Sequence, residues 1–309
     1  MAEKKKKLLI TGPSGAVGRA LVSLAAERGW EVTVFLHPGS ARNDGLEKLP
    51  GLRVIRAELS DYAGLNVDTT GPQDAVVHLA WAGTTGEARN DAGLQLKNVE
   101  YTLDAVRMAK RIGAKCFLGA GSQAEYGITD QVLTPSLKVN PVTGYGIAKY
   151  TAGKLGTMLA EKLDIRFNWI RILSVYGPDD RPDSLISYVI KTLAEGKRPE
   201  LSPCTQIWDY LYSRDAAAAF LACADRGKPG KTYVIGSGER RTLRDYVEEI
   251  RNLTAPDMDL IYGERAFYPG QPMFLSADIS EIRSDTGWEP ETSFREGILQ
   301  VQKKLAKIQ

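Results

Sequence analysis

Short apolar runs alternate with amphipathic, helix-forming segments over the first two-thirds of the chain. The apolar runs have the composition of buried strands and are bounded by glycine, proline or charged residues: KKLLIT, EVTVFL, GLRVIRA, DAVVHLA, AKCFLGA and RFNWIRILSVY. Between them, Val17, Leu21 and Leu24 illustrate the helical spacing, and Gly29 follows the last turn. Buried strands separated by helices predict an α/β fold with a parallel, doubly wound sheet.

The pattern changes after residue 177, where proline-rich loops, scattered helices and aromatic connections take over. One later run, TYVIGSG at residues 232–238, has the composition of a further strand and looks able to rejoin the sheet. We therefore expect a large domain and a smaller, mixed C-terminal lobe. The predicted large domain covers residues 1–177 and about 214–238, and the lobe covers residues 178–213 and 239–309.

Composition and charge narrow the class of protein. Of the 309 residues, 43% are hydrophobic and 25% are charged, and the formal net charge of +2 gives little attraction to polyanions. We expect no nucleic-acid partner, and no membrane partner, because no apolar run reaches the roughly 20 residues of a membrane span. Cys116, Cys204 and Cys223 are widely spaced without metal-site pairing, which predicts a reducing, cytoplasmic location and no bound metal.

A glycine-rich segment, TGPSGAVG, lies between the first predicted strand and the first predicted helix. In that context Gly12 permits a tight turn, Gly15 lets the backbone approach a pyrophosphate, and Gly18 allows close helix packing. The positive end of the helix dipole adds attraction for phosphate. The segment predicts a Rossmann-type NAD(P) site with contacts from Thr11, Gly12, Ser14, Gly15, Ala16, Val17 and Gly18.

The end of the second strand bears on which dinucleotide binds. NAD sites usually carry an acidic residue there to bind the ribose hydroxyls, whereas this chain has Leu36 and His37. The loop that follows supplies Ser40 and Arg42, which could hold a 2'-phosphate by hydrogen bonding and charge. The sequence therefore favours NADP(H) over NAD, with a solvated loop charge as the alternative role for Arg42.

Further cofactor contacts are expected at the edge of the sheet, because ligands gather at the carboxyl ends of parallel strands. His78, at the end of the fourth strand, is interpreted as a buried structural residue and is assigned no chemistry. The predicted cofactor contacts of this edge are Leu59, Leu79, Ala80, Trp81 and Asn98, together with Lys149.

Three residues indicate acid–base chemistry at the same edge. Tyr145 and Lys149 are four residues apart at the start of a predicted helix, so phenol and ammonium share one face. The ammonium is expected to lower the pKa of the phenol, which makes Tyr145 a plausible proton donor and acceptor. Ser122 ends the strand AKCFLGAGS, where its hydroxyl can hold a carbonyl or alkoxide oxygen. Ser122, Tyr145 and Lys149 form the predicted catalytic set.

Several motifs occur together in a recognisable order: TGxxGxxG, the HLA strand end, Asn98, GSQAEYG, YGIAK and RILSVYGP. The chain resembles the extended short-chain dehydrogenase/reductase family, of the NAD-dependent epimerase/dehydratase type that modifies nucleotide sugars, over nearly its whole length. The resemblance implies that Ser122, Tyr145 and Lys149 act as the catalytic triad and that the substrate is a nucleotide sugar. It also implies a homodimer formed through the helices preceding and containing the YxxxK motif.

The chain departs from that family at substrate-binding positions. Gln123 and Ala124 stand where sugar 4,6-dehydratases carry an Asp-Glu pair, which disfavours dehydration. Trp208 and Tyr268 stand where many relatives have arginines that bind the substrate pyrophosphate. Either the substrate is not a typical sugar nucleotide, or another arginine compensates, with Arg181, Arg240 and Arg241 as the candidates. The predicted substrate contacts are Gln123, Tyr126, Arg181, Trp208 and Tyr268.

The sequence leaves several functions open. The leading expectation is an NAD(P)-dependent nucleotide-sugar 4-ketoreductase, because the second strand favours NADPH. The alternatives are a nucleotide-sugar 4-epimerase with tightly bound NAD, which the overall resemblance favours, and a reductase of a non-nucleotide carbonyl compound, which Trp208 and Tyr268 favour. A non-catalytic NAD(P) sensor is disfavoured by the intact Ser-Tyr-Lys set.

Overall fold

The computed structural model describes residues 5–268 and 270–306. In chain order the strands are β1 (Lys7–Thr11), β2 (Glu31–Leu36), β3 (Arg53–Arg56), β4 (Ala75–His78), β5 (Cys116–Ser122), β6 (Arg166–Ile172), β7 (Ser174–Tyr176), β8 (Ile207–Trp208), β9 (Tyr210–Tyr212), β10 (Thr232–Ile235) and β11 (Arg241–Thr242). The helices are α1 (Ala16–Glu27), α2 (Val67–Thr70), α3 (Ala92–Arg111), α4 (Gly144–Lys162), α5 (Leu185–Ala194), α6 (Ser213–Arg226), α7 (Leu243–Thr254), α8 (Ser280–Thr286) and α9 (Phe294–Leu305).

Seven of the described strands form one parallel sheet, in the spatial order β10-β6-β5-β4-β1-β2-β3. Helices cover both faces, which is why the strands consist of nearly continuous apolar residues. Leu8 and Ile10 of β1 pack in a core with α1 and α6, and Leu9 packs in a second core with α3 and α4. The predicted doubly wound Rossmann-type fold is confirmed.

The run RFNWIRILSVY is divided between two sheets, although its composition predicts one strand. Its first part is β6, which pairs with β5 and β10, and its last part is β7, which pairs with β9 instead. Leu173 lies between them, and its N–H donates to Ile235 O at 3.1 Å. β6 is largely buried and β7 is partly buried, and the break between them depends on pairing partners far along the chain.

A further core, outside the seven-stranded sheet, is built on aromatic packing. Tyr176, Tyr246 and Phe294 are buried in a core shared with α5, α7 and α9, and the Tyr246 and Phe294 ring centroids are 4.6 Å apart. The buried carboxylate of Asp209 links two distant segments by accepting hydrogen bonds from Ser237 N at 2.6 Å and Ala277 N at 3.1 Å. These bonds tie the segment after β10 to the C-terminal part of the chain.

Among residues 5–268 and 270–306, no helix has the length and apolar character required to cross a membrane. Within the same residues, no three His, Cys, Asp or Glu side chains are grouped as ligands for a metal ion. Cys116, Cys204 and Cys223 are buried free thiols.

Candidate active site

The glycine-rich turn after β1 has the shape of a dinucleotide phosphate site. Gly12 has a φ of +69°, and a Cβ at this position would lie 2.6 Å from Ala80 N. A Cβ on Gly18 would lie 2.4 Å from Gly12 O, whereas the nearest atom to a Cβ on Gly15 is 3.9 Å away. Gly15 is the N-cap of α1, where the helix dipole attracts phosphate. The turn therefore fits an NAD(P) pyrophosphate, and it also contains the predicted contacts Ser14, Ala16 and Val17.

Buried polar contacts fix the end of β4. Thr11 Oγ1 lies 2.8 Å from His78 Nδ1 and accepts a hydrogen bond from Ala80 N at 3.3 Å. Burial lowers the pKa of His78 to about 3, with a further contribution from the charge of Lys149. Thr11 and His78 thus hold neighbouring strands together, and His78 remains uncharged near neutral pH.

The loop after β4 is held by Asn98, which is only 1% exposed. Its side-chain oxygen accepts from Ala82 N at 2.9 Å, and its side-chain nitrogen donates to Ala82 O at 2.9 Å. Asn98 therefore orients the loop instead of presenting its own amide to a ligand. Three predicted cofactor contacts, Leu79, Ala80 and Trp81, lie in this loop with part of their surface exposed. Leu59, which follows β3, is also partly exposed.

The loop after β2 presents an exposed cation. Ser40 Oγ accepts from Arg42 N at 3.3 Å and caps a short turn, while the Arg42 side chain is exposed. The Arg42 carbonyl accepts a hydrogen bond from Arg19 of α1, which fixes the loop against the helix that begins at the glycine turn. His37 is exposed, and its Nδ1 accepts from Gly39 N at 3.2 Å.

Ser122 and Tyr145 meet where β5 ends and α4 begins. Burial raises the pKa of Tyr145, while a hydrogen bond with Ser122 and the positive charge of Arg89 act in the opposite direction. The expectation that Lys149 lowers this pKa is wrong in this structure, because burial predominates and Lys149 Nζ lies 5.7 Å from the Tyr145 ring centroid. The lowering influences come from Ser122 and Arg89.

Lys149 is 3% exposed and lies inside the sheet edge. Its Nζ donates to Ala120 O at 2.7 Å and lies 3.7 Å from the centroid of the Trp81 ring. Burial lowers the pKa of Lys149 to about 7, and the negative charge of Glu125 opposes this change. Lys149 can therefore gain or lose a proton near neutral pH.

Glu125, which the sequence did not indicate as a functional residue, lies beneath the predicted catalytic residues. Its fully buried carboxylate accepts from Ser122 N at 2.9 Å, Trp169 Nε1 at 2.8 Å and Arg171 Nε at 2.7 Å. The Arg171 side chain is 4% exposed, so the two charges form a buried ion pair. The contact joins residues 46 positions apart, and no local sequence signal reveals it.

A cavity of about 570 Å³ opens beside the predicted catalytic residues. Three of the predicted substrate contacts, Gln123, Trp208 and Tyr268, line it. Its other walls include the loop at residues 84–90 and Thr143, the N-cap of α4. The cavity therefore lies between the sheet edge that carries Ser122 and the segments that carry Trp208 and Tyr268.

Two other predicted substrate contacts lie elsewhere. Tyr126 is 2% exposed, its hydroxyl donates to Thr134 O at 2.6 Å, and burial raises its pKa to about 12. Arg181 lies 3.7 Å from Asp183. The structure gives Tyr126 a role in packing, and Arg181 is absent from the described residues that line the cavity.

The remaining candidate arginines have partners in the lobe. Arg241 forms an ion pair with Glu249 at 2.6 Å, and Arg240 Nε donates to Ser276 Oγ at 3.2 Å. Of the described residues that line the cavity, only Arg89 carries a charge.

The chain matches the family model described as "NAD dependent epimerase/dehydratase family" over residues 8–236. The chain belongs to this family. It is 26% identical to UDP-glucuronic acid decarboxylase 6 of Arabidopsis thaliana, with 96% of this chain and 88% of the relative covered. It is 24% identical to CDP-abequose synthase of Salmonella typhimurium, with 97% and 99% covered. The solved structure of MoeE5 with UDP-glucuronic acid and NAD is 25% identical, with a TM-score of 0.84, covering 98% of this chain and 100% of MoeE5.

Family membership identifies the chain as an NAD-dependent enzyme of the extended short-chain dehydrogenase/reductase type. A non-catalytic sensor is accordingly not retained. In this epimerase/dehydratase family member, the phenol of Tyr145, the hydroxyl of Ser122 and the buried amine of Lys149 lie near the glycine-rich turn that fits an NAD(P) pyrophosphate. Such a set can move a proton to and from an oxygen at a carbon that exchanges a hydride.

Proposed function

We propose that the protein catalyses NAD(P)-dependent oxidation and reduction at C4 of a nucleotide-linked sugar, acting as a 4-epimerase. The observation that carries the proposal is the meeting of Ser122, Tyr145 and Lys149 at the sheet edge that borders the cavity. The relatives support the substrate class, since their names include a UDP-glucuronic acid decarboxylase, a CDP-abequose synthase and UDP-sugar 4-epimerases. The proposal also assigns the substrate contacts to Gln123, Trp208 and Tyr268.

The catalytic residues divide the proton chemistry between them. Tyr145 takes the proton of the C4 hydroxyl and returns it when the ketone is reduced, and Ser122 hydrogen-bonds the same oxygen. Lys149, whose pKa is lowered to about 7 by burial, offers a donor to the cofactor ribose. NAD(P), when bound, supplies the hydride acceptor and donor. Because burial raises the pKa of Tyr145, the resting phenol is protonated and can donate its proton when the ketone is reduced. It must lose that proton before it can accept one from the C4 hydroxyl.

A nucleotide-sugar 4-ketoreductase is the second candidate, and a specific observation favours it. The loop after β2 offers the exposed Arg42 and the hydroxyl of Ser40, with no acidic side chain directly after the strand. Such a loop suits the 2'-phosphate of NADP(H), and we propose that preference here. A reductase consumes NADPH with every turnover, whereas an epimerase returns its cofactor unchanged.

The decisive experiment identifies the cofactor and follows its fate. Cofactor released from the purified protein is measured by mass spectrometry, and products from UDP-glucose, UDP-glucuronic acid and 4-keto nucleotide sugars are measured by chromatography. For the epimerase we expect a C4-inverted product without net NAD(P)H consumption. For the ketoreductase we expect Tyr145-dependent loss of NADPH. Turnover of non-nucleotide ketones alone would overturn the nucleotide-sugar assignment.

We further propose that two copies of the chain pair through α3 and α4. These helices pack against each other, and their outer surfaces expose large apolar side chains. The exposed fractions are 62% for Leu96, 51% for Ile147, 41% for Leu155 and 58% for Met158. The three residues on α4 lie along one side of the helix, as an apolar contact stripe requires.

A charge placed in this stripe tests the pairing. Sedimentation should show a dimer for the native protein and a monomer for Met158→Glu, because a carboxylate in an apolar contact loses its solvation. Leu299→Glu is the matched control, since Leu299 is 44% exposed on α9, outside the stripe. A native monomer, or equal behaviour of the two variants, would contradict the proposed dimer.

A further inference from the structure

Among the described residues, one positively charged side chain lines the cavity. Arg89 is the only charged side chain among the described residues that line it, and it forms no ion pair within residues 5–268 and 270–306. Trp208, which also lines the cavity, is uncharged, and its Nε1 donates to Ser174 Oγ at 2.8 Å. An anionic group that enters this cavity therefore has Arg89 as its available counter-charge.

The guanidinium of Arg89 lies directly over the catalytic phenol. Arg89 Cζ is 4.4 Å from the centroid of the Tyr145 ring. The reacting carbon must come within hydrogen-bonding reach of the Tyr145 hydroxyl through its own oxygen. A group bound to Arg89 is consequently only a few ångströms from that carbon.

The loop around Arg89 is fixed before any ligand arrives. Arg89 Nη1 donates to Thr84 O at 3.1 Å, which leaves other N–H groups of the guanidinium for the cavity. The side chain of Gln95, which is 1% exposed, donates to Ala88 O at 2.9 Å, and Asn90 Oδ1 accepts from Gly144 N at 3.0 Å. These bonds tie the loop to α3 and to the start of α4, so little ordering remains to be done on binding.

We propose that Arg89 binds a carboxylate carried by the sugar on the carbon next to the reacting one, so that the substrate is a nucleotide-linked uronic acid. The inference rests on the proposed function, in which C4 reacts. The carboxylate of a hexuronic acid is attached to C5, beside C4, whereas the pyrophosphate is attached through C1 on the opposite side of the ring. A guanidinium over Tyr145 is therefore placed for the carboxylate, which it can hold through two parallel hydrogen bonds.

The test compares two sugars that differ only in the carboxylate. Binding of UDP-glucuronic acid and UDP-glucose to the NAD(P)-loaded protein is measured by calorimetry. Arg89→Gln should weaken the binding of UDP-glucuronic acid about ten- to a hundredfold, as expected for loss of a charged hydrogen bond. It should weaken the binding of UDP-glucose less than about threefold. Arg89→Lys should retain part of the preference, because it keeps the charge but not the planar fork.

Arg283→Gln is the control, since Arg283 is exposed on α8 and pairs with Glu289. It should change neither affinity. An equal loss for both sugars in Arg89→Gln would overturn the inference and assign Arg89 to the pyrophosphate or to loop structure, while the proposed function would stand. Failure of the native protein to bind or convert either compound would instead overturn the proposed function on UDP-sugars, and the inference with it.

Discussion

Lys149→Met is expected to lower turnover by about a hundredfold or more while leaving the protein at least as stable as the native form near pH 7. The loss of activity follows from the loss of the amine that we propose as a donor to the cofactor ribose. The unchanged or higher stability follows because burial lowers the pKa of Lys149 from 10.5 to about 7, so the folded state disfavours the charged amine. Catalysis and stability thus make opposite demands at this position.

The stability of the native protein should depend on pH through Lys149. Between about pH 7 and pH 10.5 the unfolded chain binds a proton that folded Lys149 has released, so the stability of the native protein rises with pH across this window. The variant lacks this contribution. The free energy of unfolding of Lys149→Met should therefore exceed that of the native protein by a few kcal/mol near pH 7, and the difference should shrink towards pH 10.5.

Denaturant unfolding at several pH values measures the difference. Lys191→Met, which removes an exposed lysine on α5, should alter neither activity nor the pH profile. A Lys149→Met variant that is less stable than the native protein by the same amount at every pH would contradict the assigned burial cost.

Glu125→Gln is expected to destabilise the fold by about 3–5 kcal/mol. The substitution keeps the shape of the side chain but leaves the Arg171 guanidinium buried without a counter-charge, with an amide facing it. It also weakens the bond from Ser122 N, so the catalytic hydroxyl should be held less firmly and turnover should fall further than the folded fraction does.

The chain offers a matched control for this pair. Glu47 lies 2.6 Å from Arg56, but both side chains are about half exposed, so Glu47→Gln should cost less than about 1 kcal/mol. Urea unfolding of both variants provides the comparison. Similar small losses for the two would show that the buried pair contributes no more than a surface pair.

Local signals made the sheet predictable, and they also indicated the residues of the proposed catalytic set. Each strand is a short apolar run, and the glycine turn and the Tyr145–Lys149 spacing are encoded within a few residues. Once the strand order places the end of β5 beside the start of α4, Ser122 and Tyr145 meet. The order of these signals along the chain was sufficient to predict the family.

Contacts between distant segments account for what the sequence did not reveal. Arg89 and Tyr145 are far apart in the chain, as are Glu125 and Arg171, and neither pair has a recurring spacing. The predicted lowering of the Tyr145 pKa was wrong for a related reason. Burial raises this pKa, and burial depends on packing from several elements. Tyr126 was selected for its position after β5, although its side chain turns into the interior.

The most direct test of the account follows the redox state of the nicotinamide during one turnover. NAD-loaded protein is mixed rapidly with UDP-glucuronic acid or UDP-glucose, and the near-ultraviolet absorbance of reduced nicotinamide is recorded for native protein and Tyr145→Phe. We expect transient reduction in the native protein, with a rate about 10²- to 10⁴-fold lower in the variant, because the phenol carries the C4 proton. Product formation that proceeds at the native rate in Tyr145→Phe, or without any reduced nicotinamide, would contradict the proposed chemistry.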